Sequence, residues 1–246
     1  MFKKSISLVV ASAAMVCLSS AVQAAFVTVT NTSVGGGAAN SQNYANFDSF
    51  IPPQVGGPAG VNGGITVDLG TSGQIGYLPN VGGVYAAPFL SGNNGVNFGS
   101  QPDGADATSY LTTGSNTPSG DVTLFFSTTY TYLGILWGSV DDYNRLDFFD
   151  ATNTLIGSVT GLQVNGFANG DQQIGGTFYV NVLTSGYTKV VATSTQAAFE
   201  FDNVAYGDKP DFQTEVPEPA SIAMWGLGAL GLMFARRKRA QSSIVG

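Results

Sequence analysis

The side chains able to do chemistry in this chain are almost all carboxylates. The 246 residues include sixteen Asp and Glu, no His and a single Cys. His is the commonest general base and a common metal ligand, so its absence excludes Ser–His or Cys–His catalysis and His-based zinc or iron sites. One Cys excludes an intrachain disulfide and a thiolate cluster. Any chemistry must therefore rest on a carboxylate pair or on a hard cation.

Two acidic motifs, residues 137–144 and 199–206, place carboxylates and amides at strand ends. Oxygen ligands without His or Cys suit Ca²⁺, which takes six to eight oxygens. The expected calcium ligands come from these motifs and one N-terminal acid: Asp48, Asp141, Asp142, Asp202 and Asn203. A site that joins Asp202 to Asp48 would tie the ends of the sandwich together. The competing interpretation is that Asp and Asn only begin turns and cap strands. No Asp-x-Asp-x-Asp-Gly loop is present in the sequence to favour calcium.

The second motif also predicts an irregular strand. Phe199 and Phe201 share one parity, whereas Val204 and Tyr206 have the other. A β-bulge near residues 202–203 would return all four side chains to the core. The same bulge would aim the polar side chains at these two positions toward a ligand.

Glycoside hydrolysis is the enzymatic alternative, because it needs only two carboxylates. Asp141 or Asp142 together with Glu200 or Asp202 would supply such a pair. Glu, the usual catalytic acid of sandwich glycosidases, is scarce, and Glu200 is the one Glu outside the C-terminal region. We therefore predict that the chain is not an enzyme and keep a glycoside hydrolase as an alternative.

Residues 1–24 are typical of a secretory signal peptide. Two lysines precede an apolar stretch at residues 6–18 that is too short to span a bilayer, and small residues end at Ala24. We expect export and cleavage by signal peptidase after Ala24. The single Cys lies inside this segment, so the mature chain would contain none.

The C-terminus combines three features in order. Pro217-Glu218-Pro219 is followed by an uncharged stretch at residues 220–235 and then by the basic run Arg236-Arg237-Lys238-Arg239. A helix of that length spans about 24 Å, a little short of the ~30 Å hydrocarbon core. Because a basic cluster keeps its end of a span cytoplasmic, we predict an exported body anchored in the inner membrane through residues 220–235.

These features resemble the PEP-CTERM sorting signal of Gram-negative bacteria. The resemblance implies that exosortase, an integral-membrane cysteine protease, cuts near the tripeptide. It also implies that the body is then released or transferred to the cell surface or extracellular matrix.

The body between the two signals is strongly acidic. Residues 25–219 hold all sixteen acids but only three basic residues, a formal charge near −13. Such a polyanion repels nucleic acid and anionic lipid, so neither is expected as a partner. Extracellular glycans or matrix proteins are the expected partners.

The elements that must position the acids are strands. Residues 31–120 are rich in glycine clusters that mark turns, but they hold too many aromatics for a disordered spacer, so we expect irregular structure packed on a sheet. Residues 130–137 are apolar on both parities, which predicts a central strand covered on both faces. Separate strands are also predicted at residues 122–127, 177–184 and 187–193.

Turn signals recur every eight to twelve residues after residue 121, which predicts an all-β fold. The expected architecture is an antiparallel β-sandwich, jelly-roll-like, over residues 25–210. A linker at residues 211–216 and the sorting signal at residues 217–239 follow it.

The body further resembles a group of exosortase-dependent surface proteins. The shared residues are Leu133, Gly134, Trp137, Gly138, Ser139, Asp141, Tyr143, Asn144, Phe201, Asp202 and Asn203. The resemblance implies a location rather than a reaction. We expect a non-enzymatic adhesive or structural protein of the biofilm or envelope, with a calcium-containing carbohydrate-binding module as the first alternative.

Overall fold

The computed structural model describes residues 25–34, 43–99, 101–113 and 121–208. The predicted signal peptide with Ala24, the linker, the span at 220–235 and the basic run lie outside these residues. The strands are β1 (Val27–Val34), β2 (Asn43–Ala45), β3 (Gln54–Val55), β4 (Pro58–Asn62), β5 (Ile65–Asp68), β6 (Gln74–Gly76), β7 (Phe89–Leu90), β8 (Gly104–Ala105), β9 (Tyr110–Thr112), β10 (Val122–Trp137), β11 (Asn144–Phe149), β12 (Leu155–Thr160), β13 (Phe178–Ser194) and β14 (Glu200–Gly207). Two short helices, α1 (Asn94–Phe98) and α2 (Gly161–Val164), and a 3₁₀ turn at Ile174–Gly176 complete the described elements.

The fold is all-β and antiparallel, as predicted. Twelve strands form one sheet, and β7 and β8 form a small second one. No helix in the described ranges is long and apolar enough to cross a membrane. The jelly-roll-like connectivity stays a prediction.

Two long strands, β10 and β13, organise the sheet. They pair with each other along their length, but their outer neighbours change halfway. The first half of β10 pairs with β5 and its second half with β14. The first half of β13 pairs with β1 and its second half with β11. Strands that change partners in this way carry one sheet around a corner and form two packed layers.

The corner lies where the sequence predicted breaks between strands. The β10–β13 register shifts between Phe125 and Tyr130 and again before Tyr132. Gly186, on the facing part of β13, has a φ of 133°, which suits glycine. The separate strands predicted on either side are therefore continuous, because their polar breaks form bends rather than turns.

The main core lies between the two layers. Trp137 is fully buried there, and its ring stacks on Phe199 at 4.3 Å between centroids. The expected bulge in β14 is confirmed: Asn203 has a φ of 50°, and the β10–β14 register shifts beside it. Phe199, Phe201, Val204 and Tyr206 all belong to this core.

The opposite face of the central strands is also covered. Residues 77–99 and 101–108, called here the covering segment, pack Leu90 and Phe98 against Tyr132, Leu136 and Tyr179. The prediction that residues 130–137 form a strand covered on both faces is confirmed. So is the prediction that glycine-rich residues pack irregularly on a sheet, for the part of 31–120 that the structure describes.

Candidate functional site

Strand β14 places two carboxylates against the covering segment. Glu200 and Asp202 have the same parity and point away from the main core, which takes Phe201 between them. Each lies in a separate polar group. We call the first the Glu200 pocket and the second the acidic cluster, which comprises Asp48, Asp106 and Asp202.

The Glu200 pocket is a polar cavity of about 160 Å³. Its lining comes from the covering segment and from three loops, and includes Tyr85, Ala86, Ser139, Asp141, Tyr143, Asn169, Gly170, Gln172, Ala197, Ala198 and Glu200. Because both acidic motifs contribute to it, this cavity brings together two residues of the predicted carboxylate pairs, Asp141 and Glu200.

Both carboxylate oxygens of Glu200 accept backbone hydrogen bonds. The N–H of Ala86 donates to Oε1 at 2.8 Å, and the N–H of Ser139 donates to Oε2 at 3.2 Å. The side chain is 2% exposed, and burial raises its pKa to about 8 although the two amides lower it. Glu200 therefore joins the covering segment to the loop after β10, an arrangement that favours a structural role.

The first acidic motif builds one wall of the pocket. The Tyr143 hydroxyl donates to the carbonyl of Ala197 at 3.3 Å, and the Asn144 amide donates to the carbonyl of Ser139 at 3.1 Å. Burial raises the pKa of Asp141, although a hydrogen bond with Tyr143 opposes this. Asp142 is exposed and lines neither polar group.

The acidic cluster joins three distant parts of the chain. Asp106, in the covering segment, and Asp202, in β14, are 0% and 1% exposed. Asp48, in the loop after β2, is more exposed and lies close enough to act electrostatically on both. The structure thus brings Asp48 close to Asp202, the pair predicted to tie the ends of the body together.

Hydrogen bonds hold only one side of the Asp106 carboxylate. Its Oδ1 accepts from Gln101 Nε2 at 2.9 Å, from the Thr108 N–H at 2.9 Å and from Thr108 Oγ1 at 2.6 Å. Its Oδ2 is buried and has no hydrogen-bond partner among the described residues, and the same holds for Oδ1 of Asp202. Buried polar atoms are rarely left in this state.

No basic side chain of the described residues balances the charges in the cluster. Burial raises the pKa of Asp202 well above its ordinary value, and the adjacent Asp106 carboxyl raises it further. The two basic residues in the described ranges lie elsewhere: Arg145 pairs with Asp147 at 2.6 Å, and Lys189 lies 4.0 Å above the ring of Phe149.

Amides connect the β14 bulge to helix α1. Asn203 Nδ2 donates to Asn94 Oδ1 at 2.5 Å, and the Tyr179 hydroxyl donates to the backbone carbonyl of Asn203 at 3.1 Å. These bonds fix the strand beside Asp202. The bulge therefore positions the acidic cluster as well as the apolar core.

The predicted calcium residues separate into three environments. Asp48, Asp202 and Asn203 lie at or beside the acidic cluster, Asp141 lines the Glu200 pocket, and Asp142 is exposed. Within the described ranges, no three His, Cys, Asp or Glu side chains are arranged as a metal-binding group. Asp106 was not among the predicted ligands, since its Asp-Ala-Thr sequence is typical of an ordinary turn.

Comparison with known proteins concerns the C-terminus. A family model described as the PEP-CTERM protein-sorting motif matches residues 215–239, which include the predicted tripeptide, the apolar stretch and the basic run. No curated protein matches the chain. The motif implies export, a membrane-anchored step and processing by exosortase before surface display. The chain therefore carries a PEP-CTERM protein-sorting motif at its C-terminus.

Proposed function

We propose that this protein is a non-enzymatic component of the cell surface or extracellular matrix, with an adhesive or structural role in the biofilm or envelope. The observation that carries the proposal is the sorting motif at residues 215–239. After export and removal of residues 1–24, residues 220–235 hold the body at the inner membrane. Exosortase then cuts near Pro217-Glu218-Pro219.

The position of the motif relative to the fold supports this order of events. Strand β14 lies inside the main sheet, between β10 and β9, and ends at Gly207. The motif begins at residue 215. A cut near the tripeptide therefore leaves every described strand in the released body.

The chemistry of the body supports a role without catalysis. Both carboxylate oxygens of Glu200 are engaged by backbone amides, and Trp137 is buried in the core, where it is inaccessible for stacking on a sugar. The body is also strongly acidic and has no Cys once residues 1–24 are removed. An acidic surface favours partners that carry cations or neutral hydrogen-bonding groups over nucleic acids.

Deletion of residues 217–219 tests the sorting step. In a Gram-negative host that contains an exosortase, the wild-type body should reach the surface or medium, while the deletion variant stays in the inner-membrane fraction. Deletion of residues 210–212, three residues upstream of the motif, is the matched control and should leave release unchanged. Equal release of the 217–219 variant and the wild type would contradict the proposal.

The same strains test the adhesive or structural role. Cells that display the wild-type body should attach to a solid surface or to one another more strongly than cells with the 217–219 deletion. The 210–212 deletion should retain wild-type attachment. If the wild-type body is released normally but wild-type cells attach no more strongly than cells with the 217–219 deletion, the adhesive or structural role is refuted. The proposed sorting step would still stand.

A further inference from the structure

The two buried carboxylates of the acidic cluster lie side by side without a compensating positive charge from the described residues. Asp106 and Asp202 are within hydrogen-bonding reach of each other, yet both accept and neither donates when ionised. One oxygen of each, Asp106 Oδ2 and Asp202 Oδ1, is buried without a partner in the described part of the chain. Burying a carboxylate is costly unless it is paired or binds a metal.

Within the described ranges, no basic side chain supplies the missing positive charge. Arg145 and Lys189, the basic residues of the described ranges, are engaged with Asp147 and with the Phe149 ring. Asp48 adds negative charge to the cluster rather than removing it. A proton or a bound cation would balance the charge that the described residues leave uncompensated.

We propose that Asp106 and Asp202 bind one Ca²⁺ ion between the covering segment and strand β14, with Asp48 beside them. This inference goes beyond the proposed function and does not depend on it. An all-oxygen donor set without His or Cys suits calcium rather than zinc or copper. Calcium also accepts backbone carbonyls, amide oxygens and water, so two carboxylates with a third nearby suffice without a ready-made group of three acids.

The ion would join segments that are far apart in the chain. Asp106 lies between β8 and β9, Asp202 lies beside the β14 bulge, and Asp48 follows β2. Thr108 holds Asp106 through two hydrogen bonds, so the covering segment presents its carboxylate to the strand in a fixed orientation. Calcium binding is thus expected to fasten the covering segment to the central sheet.

Thermal unfolding of the full chain in detergent, with EGTA or with about 10 mM CaCl₂, tests the proposal. That concentration is about 100-fold above the tighter end of the Kd range of extracellular calcium modules, so Tm should rise by about 5–10 °C. The rise should disappear in Asp106→Asn and Asp202→Asn. Asp142→Asn, which removes an exposed acid outside the cluster, is the matched control and should keep it.

The variants are expected to fold, because Asn has nearly the shape of Asp and its amide can donate to the carboxylate opposite. In EGTA, Asp202→Asn should match or exceed the Tm of the wild type, since it removes one of two adjacent buried charges. Calorimetric titration of the wild type with CaCl₂ keeps the test independent of the variants. Absence of binding heat, or a Tm rise that persists in both cluster variants, would overturn the proposal.

Limited proteolysis locates the effect within the chain. The covering segment contains the aromatic residues Tyr77, Tyr85, Phe89 and Phe98, which chymotrypsin can cut when the segment opens. Calcium should slow cleavage in the covering segment several-fold in the wild type. It should leave the cleavage rate of Asp202→Asn unchanged. Equal protection of the wild type and Asp202→Asn by calcium would contradict binding at this cluster.

Discussion

At the scale of single residues, two acids on one strand are stabilised by different means. Glu200 is buried with a backbone N–H on each oxygen, whereas Asp202 is buried with one oxygen free of any partner in the described ranges. Both acids lie in one acidic motif, and its sequence does not show that their environments in the fold differ in this way. The distinction depends on which loop packs opposite each side chain, since Ala86 faces Glu200 and Asp106 faces Asp202.

The pH dependence of stability tests the environment of Glu200. Burial raises its pKa from 4.5 to about 8, so the folded state favours the protonated form. The resulting contribution to stability is complete below pH 4.5 and is lost as pH rises to about 8. The nearby Asp141 carboxylate adds a like charge that also favours the neutral form of Glu200. Tyr143 and Tyr110 are neutral in this pH range, because burial raises the pKa of each hydroxyl and the charge on Glu200 raises it further.

Glu200→Gln should remove this pH dependence. In EGTA, the Tm of the wild type should fall by several degrees between pH 5 and pH 8.5, while the variant gives a flatter profile. The variant should have a lower Tm at pH 5, because its amide nitrogen faces one of the two backbone N–H donors. A variant with the same slope as the wild type would show that another group titrates.

The positions of the candidate calcium residues could be predicted from the sequence only in part. Asp48 and Asp202 were predicted to meet, and the structure places them in one cluster. Asp106, the other buried acid there, was missed because nothing in its local sequence marks burial. Asp142 was also predicted as a ligand, because it lies next to Asp141 in the sequence. It is exposed in the structure, since adjacent residues of a turn can face opposite directions.

At the scale of elements, the packing around the two long strands, β10 and β13, explains why residue 134 is a glycine. Gly134 lies on β10 facing the covering segment, where the hydroxyls of Tyr132 and Tyr179 approach its backbone. Tyr132 donates to Asn181 Oδ1 at 2.7 Å, and Tyr179 donates to the carbonyl of Asn203. A glycine is required here because two hydrogen-bonded rings occupy the space of a side chain.

Gly134→Ala should destabilise the fold. The added methyl group would overlap the Tyr132 hydroxyl and lie 2.7 Å from that of Tyr179. Overpacking of this kind costs about 1–3 kcal/mol, measurable by urea unfolding. Gly82→Ala is the control, because no described residue other than its two chain neighbours has an atom within 4 Å of the added carbon. Equal free energies of unfolding for the two variants would contradict the close packing around Gly134.

Strand positions were predicted well where hydrophobic patterning was strong. The strand predicted at residues 130–137 lies within β10, and the β14 bulge follows from the parity of Phe199 and Phe201 against Val204 and Tyr206. The corner in β10 and β13 could not be predicted, since polar residues at a bend resemble those of a turn. Only pairing across the sheet, here between Tyr130 and Tyr187 within the bend, shows that the strands continue.

At the scale of the whole molecule, the fold and the sorting motif occupy separate parts of the chain. All described strands end by Gly207, and the motif starts at residue 215. The sequence alone was sufficient to predict this division, because export and sorting signals are linear and need no tertiary contacts. The role of the body depends on surfaces and buried groups that only the folded chain assembles.

The most direct test of the account is the intact mass of the protein recovered from the cell surface or medium, with both termini sequenced by mass spectrometry. We expect an N-terminus at Ala25 and a C-terminus near residues 217–219, without residues 220–246. The body should retain β14 through Gly207. Surface protein that still carries Arg236–Arg239 would contradict cleavage at the sorting motif, and with it the central claim.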